Sequence, residues 1–386
     1  MINFTPSQER AIKEIKEFAK SKEQVLCLTG SPGTGKTFLI NHLKNTISNS
    51  VVCATTNKAS ILLNAQTVHN LFKIRVKNNY KTGKTEYEYK SMATYYNTFI
   101  IIDECSMLEK ELWEVISSCN NTCKFLLVGD KDQLPAVTNP ANVFENYRTI
   151  ALVENMRQKE QDLLDLISKA KEGITNNKII RLEKSISVDF KTKEEMEDLL
   201  TNLTPSDKYI SYMNKDAIAM GNHIRALKGI TGVFQAGEVA VSRNFCKSLD
   251  NKEAVKVEEE VLITNVSEVI NFKVNDKVII RVREVTLEGK NGIFYIPESS
   301  ESYSNCLSYL GKNKLFVDYF TVKEHILDLR TIWSSTVHCA QGSTYNTVVI
   351  NLNDIHKCSD VVVTTKLIYV ALSRAKEKIV ILKGNK

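Results

Sequence analysis

The chain has 386 residues, 43% of them hydrophobic and 25% charged, with a formal net charge of +6. This composition excludes a disordered or low-complexity chain, leaves room for two or three domains, and permits a polyanionic partner without demanding one. No apolar run reaches the length of a membrane span, no signal pattern precedes Phe4-Thr5-Pro6, and the nine cysteines are scattered, so a reduced, cytosolic setting is expected.

Taken in chain order, the first chemical signal is Gly30-Ser31-Pro32-Gly33-Thr34-Gly35-Lys36-Thr37, a complete phosphate-binding loop. Apolar Val25-Leu26-Cys27-Leu28 reads as a buried strand before it, and Phe38 to Leu43 as a helix after it. That strand–loop–helix context separates a real P-loop from a chance match. Gly30, Gly33, Thr34 and Gly35 let backbone N–H groups turn toward phosphates. Lys36 supplies a mobile positive charge, and Thr37 offers a hydroxyl to Mg²⁺. A nucleoside triphosphate is therefore the expected ligand.

Val51 to Ala54 predicts a second strand, and between His69 and Phe99 a smaller insertion follows. Residues 72–97 carry six Lys/Arg against Glu86 and Glu88, a net of +4, interleaved with aromatics that include Tyr80 and Tyr87. Ile74 to Lys77 and Thr85 to Tyr89 can pair as a hairpin with Gly83 near the turn. Basic residues that track phosphates and aromatics that stack on bases are the combination single-strand binders use; a solvated hairpin with ordinary Tyr packing is the plainer reading.

Phe99-Ile100-Ile101-Ile102 then runs into Asp103-Glu104, 67 residues after Lys36. An apolar strand ending in two carboxylates delivers both to the C-terminal edge of a parallel sheet, where ligands bind. Asp103 is placed to hold Mg²⁺ and Glu104 to polarise an attacking water. The strand Phe125 to Val128 leads into Gly129-Asp130-Lys131-Asp132-Gln133, which lacks the Asn-Lys-x-Asp of a guanine reader; Gln133 can instead report on a γ-phosphate. Thr149 to Leu152 completes this set of strands.

A second α/β set follows, with strands at Tyr209 to Tyr212, Thr347 to Ile350 and Ile379 to Leu382 and helical patterns at 160–171, 193–202, 214–227 and 363–375. It is interrupted from 232 to 331 by β-type runs at Val261-Leu262-Ile263, Lys277 to Val282 and Leu315 to Phe320, with a turn at Gly289-Lys290-Asn291-Gly292. A small antiparallel barrel inserted into the second domain is expected there. Arg157 and Arg374 belong to the second set, and arginines offered across a cleft to a γ-phosphate stabilise a transition state.

The ordered series resembles a superfamily 1 helicase, in the RecD-like branch to which the Dda helicases of T-even phages belong. Phe4 to Arg10 is similar to that family's adenine-reading segment, with Gln8 as the reader. Ala54 to Ala59 and Thr67-Val68-His69 resemble its first strand-contacting motif, Ser335 to Thr344 its late DNA-contacting and ATP-coupling motif, and Tyr369 to Ala375 its last arginine motif. Many relatives have Lys-Ser where Cys339-Ala340 stand.

The resemblance implies an α/β fold of two RecA-like parallel-sheet domains. Residues 1–155 would form the ATP-binding domain with a hairpin arm at about 72–97, 156–231 and 332–386 the second domain, and 232–331 the inserted barrel. It implies ATP and Mg²⁺ as cofactors, with Gly342 beside the nucleotide. It also implies Thr55, Thr67, His69, Tyr80, Tyr87, Thr336 and His338 on DNA, with Tyr80 or Tyr87 as a strand-separating pin. The partners it implies are single-stranded DNA and forks, and a single-strand-binding protein; the expected state is a monomer in a bacterial or phage-infected cytosol, off the membrane, serving replication, recombination or repair. Two other readings remain open at this level: a single-strand translocase that strips bound proteins, and a non-motor P-loop ATPase or kinase.

Overall fold

A computed structural model of the protein describes residues 3–158 and 160–383. The chain divides into two compact units: Met1–Ile74, Lys90–Ala217 and Ser335–Lys386 form one, and Arg75–Tyr89 with Ile218–Ser334 form the other. Among the described residues no helix is long and apolar enough to cross a membrane.

The first unit holds two parallel sheets. The first contains β1 (Val25–Gly30), β2 (Ser50–Ala54), β3 (Gln66–Thr67), β4 (Phe99–Asp103), β5 (Lys124–Gly129) and β6 (Thr149–Leu152), in the order β3-β2-β4-β5-β1-β6. Its central strands β1, β4 and β5 are continuously apolar because both faces are covered. Leu26 and Leu28 register with Leu126 and Val128, and α1 (Pro6–Lys20) and α2 (Lys36–Thr46) add Ala11, Ile15, Phe18, Leu39, Ile40 and Leu43 to the same core. α1 starts where Thr5 and Gln8 form a reciprocal capping box with Pro6 in the first turn.

The second sheet contains β7 (Val188–Lys191), β8 (Lys208–Ser211), β9 (Ser334–Thr336), β10 (Tyr345–Ile350) and β11 (Ala375–Leu382), ordered β9-β8-β10-β11-β7. Leu163, Ile167 and Ala170 of α3 (Gln161–Thr175) and Leu367 to Leu372 of α4 (Val361–Leu372) pack on it. Leu134, from the loop after β5, joins this second core, so the two halves of the unit share buried apolar contacts. The short strands β3, β7 and β9 carry no apolar run and were not visible as strands from sequence.

The second unit is built on a five-stranded antiparallel sheet in the order Ile293–Pro297, Ile279–Leu287, Glu260–Lys273, Val239–Ser242 and Leu329–Thr331. The 14-residue strand Glu260–Lys273 carries register shifts at Ile263/Asn265 and Val266/Val269, where bulges bend it. A bridge between Tyr295 and Ile326 ties one edge strand to the segment preceding the other. Ile263, Val285, Phe294 and Leu327 fill one side.

One sequence expectation is overturned here. Leu315 to Phe320, expected as β, opens the helix Phe316–His325, which packs with the helix Ser300–Lys312. The aromatic, β-branched run suits a strand locally, but Tyr319, Val322 and Ile326 fall on one helical face and fill a cluster with Ile280, Val282, Tyr303 and Leu310. Packing outweighs local propensity.

The basic hairpin forms with Arg75 opposite Glu88 and Lys77 opposite Glu86, and with Gly83 at φ +70°. Read from sequence as an arm of the first domain, it groups by its contacts with the insertion. The Tyr80 ring stands edge-on to Phe320 at 5.5 Å, and Asn78 donates to Glu324 at 3.0 Å. A Cβ at Gly83 would lie 2.4 Å from the Phe316 ring, so only glycine fits.

Candidate nucleotide and strand-contact site

The P-loop leaves the C-terminal end of β1 and enters α2 through Gly35, which caps the helix in the left-handed conformation with no side-chain hydrogen bond. The first-turn N–H groups of this helix therefore face the loop's concavity, the arrangement that receives anions. Lys36 donates to the carbonyls of Gly30 at 2.6 Å and Ser31 at 3.1 Å, and the Thr34 hydroxyl donates to Ser31 at 2.9 Å. A Cβ at Gly30 would meet that Thr34 hydroxyl at 2.5 Å. Thr37 is exposed in the first turn of α2.

Residues 154–158 lie along this loop. Met156 donates its N–H to Gly33 at 2.7 Å, and Asn155 donates to Pro32 at 3.1 Å. Gly33 has φ +92°, and a Cβ there would fall 2.6 Å from both Asn155 and Arg157. Gln8 is fully buried: its carbonyl oxygen accepts the Thr5 N–H, and its amide donates to Thr34 at 3.1 Å while touching the Met156 sulfur at 3.7 Å. Its amide thus fixes α1 to the loop.

Asp103 ends β4 and Glu104 follows it, before the short turn Cys105–Met107. The Asp103 carboxylate is buried and accepts the Glu104 N–H at 2.9 Å. Burial, and then the neighbouring Glu104 charge, push its pKa up to about 7. Glu104 sits at φ +53°, ψ +38°, a left-handed conformation uncommon outside glycine, and Thr55 helps hold it there. The Thr55 N–H donates to the Asp103 carbonyl at 3.1 Å and its hydroxyl to the Glu104 carbonyl at 2.8 Å. Gly342, at φ +74°, faces this corner: a Cβ there would stand 3.8 Å from a Glu104 carboxylate oxygen.

The two halves of the unit meet around Gln133. Its amide donates to Asp130 at 3.3 Å, and its carbonyl oxygen accepts from Gln341 at 3.4 Å. Tyr369 of α4 donates its buried hydroxyl to the same Asp130 carboxylate at 2.7 Å. Arg157 is half-buried, and its Nη1 has no hydrogen-bond partner among the described residues. Burial, with Arg374 nearby, pulls its pKa down to about 10, while the Glu104 carboxylate opposes that shift. Arg374 is fully enclosed, and its guanidinium donates to Val370 at 3.1 Å, Ser343 at 3.2 Å and the Ser373 hydroxyl at 2.8 Å, all in its own half.

Four strand-contact candidates stand at the C-terminal ends of parallel strands. Thr67 caps the turn after β3 by accepting from Asn70 at 3.3 Å, and Thr336 does the same after β9, accepting from Cys339 at 3.4 Å. His69 and His338 follow in those turns, half-buried, and burial lowers both imidazole pKa values. The His338 ring lies 6.4 Å from that of Tyr212. Tyr80 and Tyr87 belong to the other unit; Tyr80 is 52% exposed, and Tyr87 is half-buried beside Tyr89.

This layout has clear relatives. Residues 8–139 match the AAA domain family, and residues 331–382 match the UvrD-like helicase C-terminal domain family. The chain is 22% identical to the ATP-dependent DNA helicase Pif1 of Campylobacter jejuni, over 90% of this chain and 86% of that one. The Pif1 helicase from Bacteroides, in complex with ADP-AlF3 and ssDNA, is similar in fold at a TM-score of 0.56 and 17% identity, covering 100% of this chain and 94% of that one. The Pif1 helicase from Candida albicans is similar at a TM-score of 0.55 and 17% identity, covering 100% and 95%. The chain is thus similar to Pif1 helicases over nearly its whole length. Its fold is accordingly that of two RecA-like domains in α/β architecture.

Several residues of the cleft had no role assigned from sequence alone. Tyr369 and Gln341 fall inside recognised motifs, but their partners Asp130 and Gln133 are more than 200 residues away, beyond the reach of any local pattern. Asn155 and Met156 flank Arg157, and the requirement for glycine at position 33 is the signal that something presses on the loop. Lys171 gave no signal: it is one lysine on an amphipathic helix.

Proposed function

We infer that the chain is an ATP-dependent DNA helicase in which hydrolysis in the cleft between the two RecA-like halves drives movement along single-stranded DNA. The observation that carries this reading is the division of the site. The phosphate cradle and the carboxylates stand on one half. Arg374, Gln341 and Tyr369 stand on the other, the last two already in hydrogen-bond contact across the cleft with Gln133 and Asp130. A site split this way ties chemistry to the relative position of two bodies, which a small-molecule kinase does not need.

In this reading Lys36 and the loop's N–H groups bind the β- and γ-phosphates. Glu104, held in its left-handed corner by Thr55, orients the attacking water and takes its proton. Arg157, with an unpartnered buried nitrogen, supplies charge to the γ-phosphate as the transition state develops, and Arg374 joins it on closure. Gln133 senses the change and passes it to Gln341. Gln8 is the adenine reader in this reading, and to meet a base its amide would release the Thr34 carbonyl; Gly342 makes its left-handed turn beside Glu104 and the nucleotide.

Asp103 and Thr37 would hold Mg²⁺. A buried carboxylate beside a second one, both hard oxygen donors, fits a divalent cation, which when bound neutralises phosphate charge. Thr55, Thr67, His69, Thr336 and His338 contribute to the strand path at the C-terminal edges of the two sheets, Thr55 through its hold on Glu104. Tyr80 and Tyr87 act at the fork. The resemblance to the RecD-like branch supports movement from 5′ to 3′.

The test measures ATP hydrolysis with and without an oligothymidylate, then strand displacement on duplexes with a 5′ or a 3′ single-stranded tail. DNA-stimulated hydrolysis and opening of the 5′-tailed duplex are expected. Hydrolysis indifferent to DNA would overturn the motor reading. Opening restricted to the 3′-tailed duplex would overturn the polarity and the branch while leaving the motor.

A further inference from the structure

Lys171 lies on α3, whose neighbouring residues Ile167, Ala170 and Ile174 are packed into the second core. Its stem therefore moves with the second RecA-like half. Its ammonium, however, reaches the first half, where it hydrogen-bonds the Ser31 hydroxyl of the P-loop and stands 3.8 Å from the Asp132 carboxylate. Below it lies the Tyr369 ring, 6.0 Å from Nζ, whose hydroxyl is bonded to Asp130. The side chain is 34% exposed, so this is a partly desolvated cluster and not a free surface pair.

Ser31 is held from two sides. Its carbonyl accepts from Lys36, the phosphate-binding lysine, at 3.1 Å, while its side chain meets Lys171. Two lysines, one from each half, thus meet at one P-loop residue. Displacing the second half pulls on the Ser31 side chain, and Ser31 in turn carries a carbonyl that positions the Lys36 ammonium. Surface ion pairs are weak, but a charged hydrogen bond to a rigid loop, supported by a carboxylate and an aromatic face, transmits position.

We propose that Lys171 is a positioning residue for ATP turnover, reading the P-loop from the second RecA-like half through Ser31 and so coupling closure of the halves to the placement of Lys36. The proposal rests on the motor reading above. Neither Lys171 nor Ser31 stands out in the sequence, because nothing in a P-loop pattern requires serine at its second position. The device belongs to this pair of residues.

The experiment is a double-mutant cycle on the full chain, following steady-state hydrolysis of Mg-ATP with saturating oligothymidylate. Lys171→Met keeps the stem and removes the charge, Ser31→Ala removes its partner, and Lys171→Arg keeps the charge. Lys171→Met is expected to lower the DNA-stimulated kcat about tenfold while moving KM for ATP by less than about twofold, because the contact matters as the halves close. Lys171→Arg should recover kcat to within about threefold of the unaltered chain. Adding Ser31→Ala to Lys171→Met should cost nothing further, since the two report one contact. Thermal melts of each variant check folding, and Lys171→Gln serves as a second neutral replacement should the Met variant fail to fold.

A kcat within about twofold of the unaltered chain for both neutral variants, or losses that multiply in the double mutant, would overturn the proposal. If the unaltered chain shows no stimulation by DNA, the motor reading fails separately. The same cycle read on basal turnover then still decides whether Lys171 acts through Ser31.

Discussion

The two units of the molecule obey different constraints. In the first, each chemical group is fixed by a backbone demand: Gly33 at φ +92° under Asn155 and Arg157, Gly35 as a left-handed helix cap, Glu104 in a left-handed corner tied by Thr55. In the second, the bent strand Glu260–Lys273 and the helices Ser300–Lys312 and Phe316–His325 are fixed by apolar packing, which many sequences satisfy. Changes in the first unit should therefore act on bond-breaking by orders of magnitude, and changes in the second on strand separation by small factors.

The sharpest way to break that contrast is at Glu104. Glu104→Gln keeps the size and the left-handed corner but removes the base, and turnover is expected to fall on the order of 10²–10⁴-fold with Mg-ATP binding retained. Near-normal turnover in a stopped-flow phosphate-release assay would take Glu104 out of that role.

Asp103 gives the next effect, through pH. Its native carboxyl holds a proton up to about pH 7, well above an unfolded aspartate. Mg²⁺ must displace that proton, so apparent Mg²⁺ affinity should weaken about tenfold per pH unit below 7. The sign for stability is opposite to that of a salt-bridged acid. A raised carboxyl makes the native state bind more protons than the unfolded chain, so stability without nucleotide falls as pH rises from about 4 to about 7. Asp103→Asn should flatten both profiles; an unchanged Mg²⁺ titration at pH 6 and pH 8 in the unaltered chain would contradict the assignment.

Gln8 sharpens the comparison because it serves both structure and ligand. Gln8→Ala removes half of a capping box and a buried bond to Thr34, and should cost about 1–2 kcal/mol in urea unfolding. It should also raise KM for ATP several-fold and blunt preference over GTP, by about 1–1.5 kcal/mol. A stability loss with the base preference intact would leave Gln8 as a structural tie.

The smallest effect belongs to the second unit. Tyr80→Ala removes an edge-on contact with Phe320 as well as an exposed ring, and should lower unwinding by the low end of what one stack contributes, about 1 kcal/mol or roughly fivefold. DNA-stimulated hydrolysis should be retained. A parallel loss of hydrolysis in a coupled-enzyme assay would show that the hairpin is not confined to the fork.

The contrast also explains how far the sequence could be read. The P-loop and the strand ending at Asp103 were legible as backbone features because a tight strand–loop–helix turn leaves few residue choices over a short stretch. The long apolar strands β1, β4, β5 and β10 were legible because burial on both faces forbids polar residues. β7 and β9 escaped because their residues satisfy only a few ladder bonds. Leu315 to Phe320 misled because aromatic and β-branched residues suit either state locally, and only the helix Ser300–Lys312 decides between them. The cleft contacts Gln133–Gln341, Asp130–Tyr369 and Ser31–Lys171 escaped because each joins residues more than 130 positions apart.

The parked guanidinium of Arg374 bears on what the motor does when it has no track. Its three hydrogen bonds to Val370, Ser343 and Ser373 are made within its own half. To face a phosphate it must release some of them, and bonds to a charged group contribute about 1.5–3 kcal/mol each. If Arg374 meets the γ-phosphate as proposed above, that cost would act as a brake on idling until the second half moves inward. In that reading fuel would be consumed chiefly when a strand draws the two halves together, and a loaded but idle motor would waste little of it.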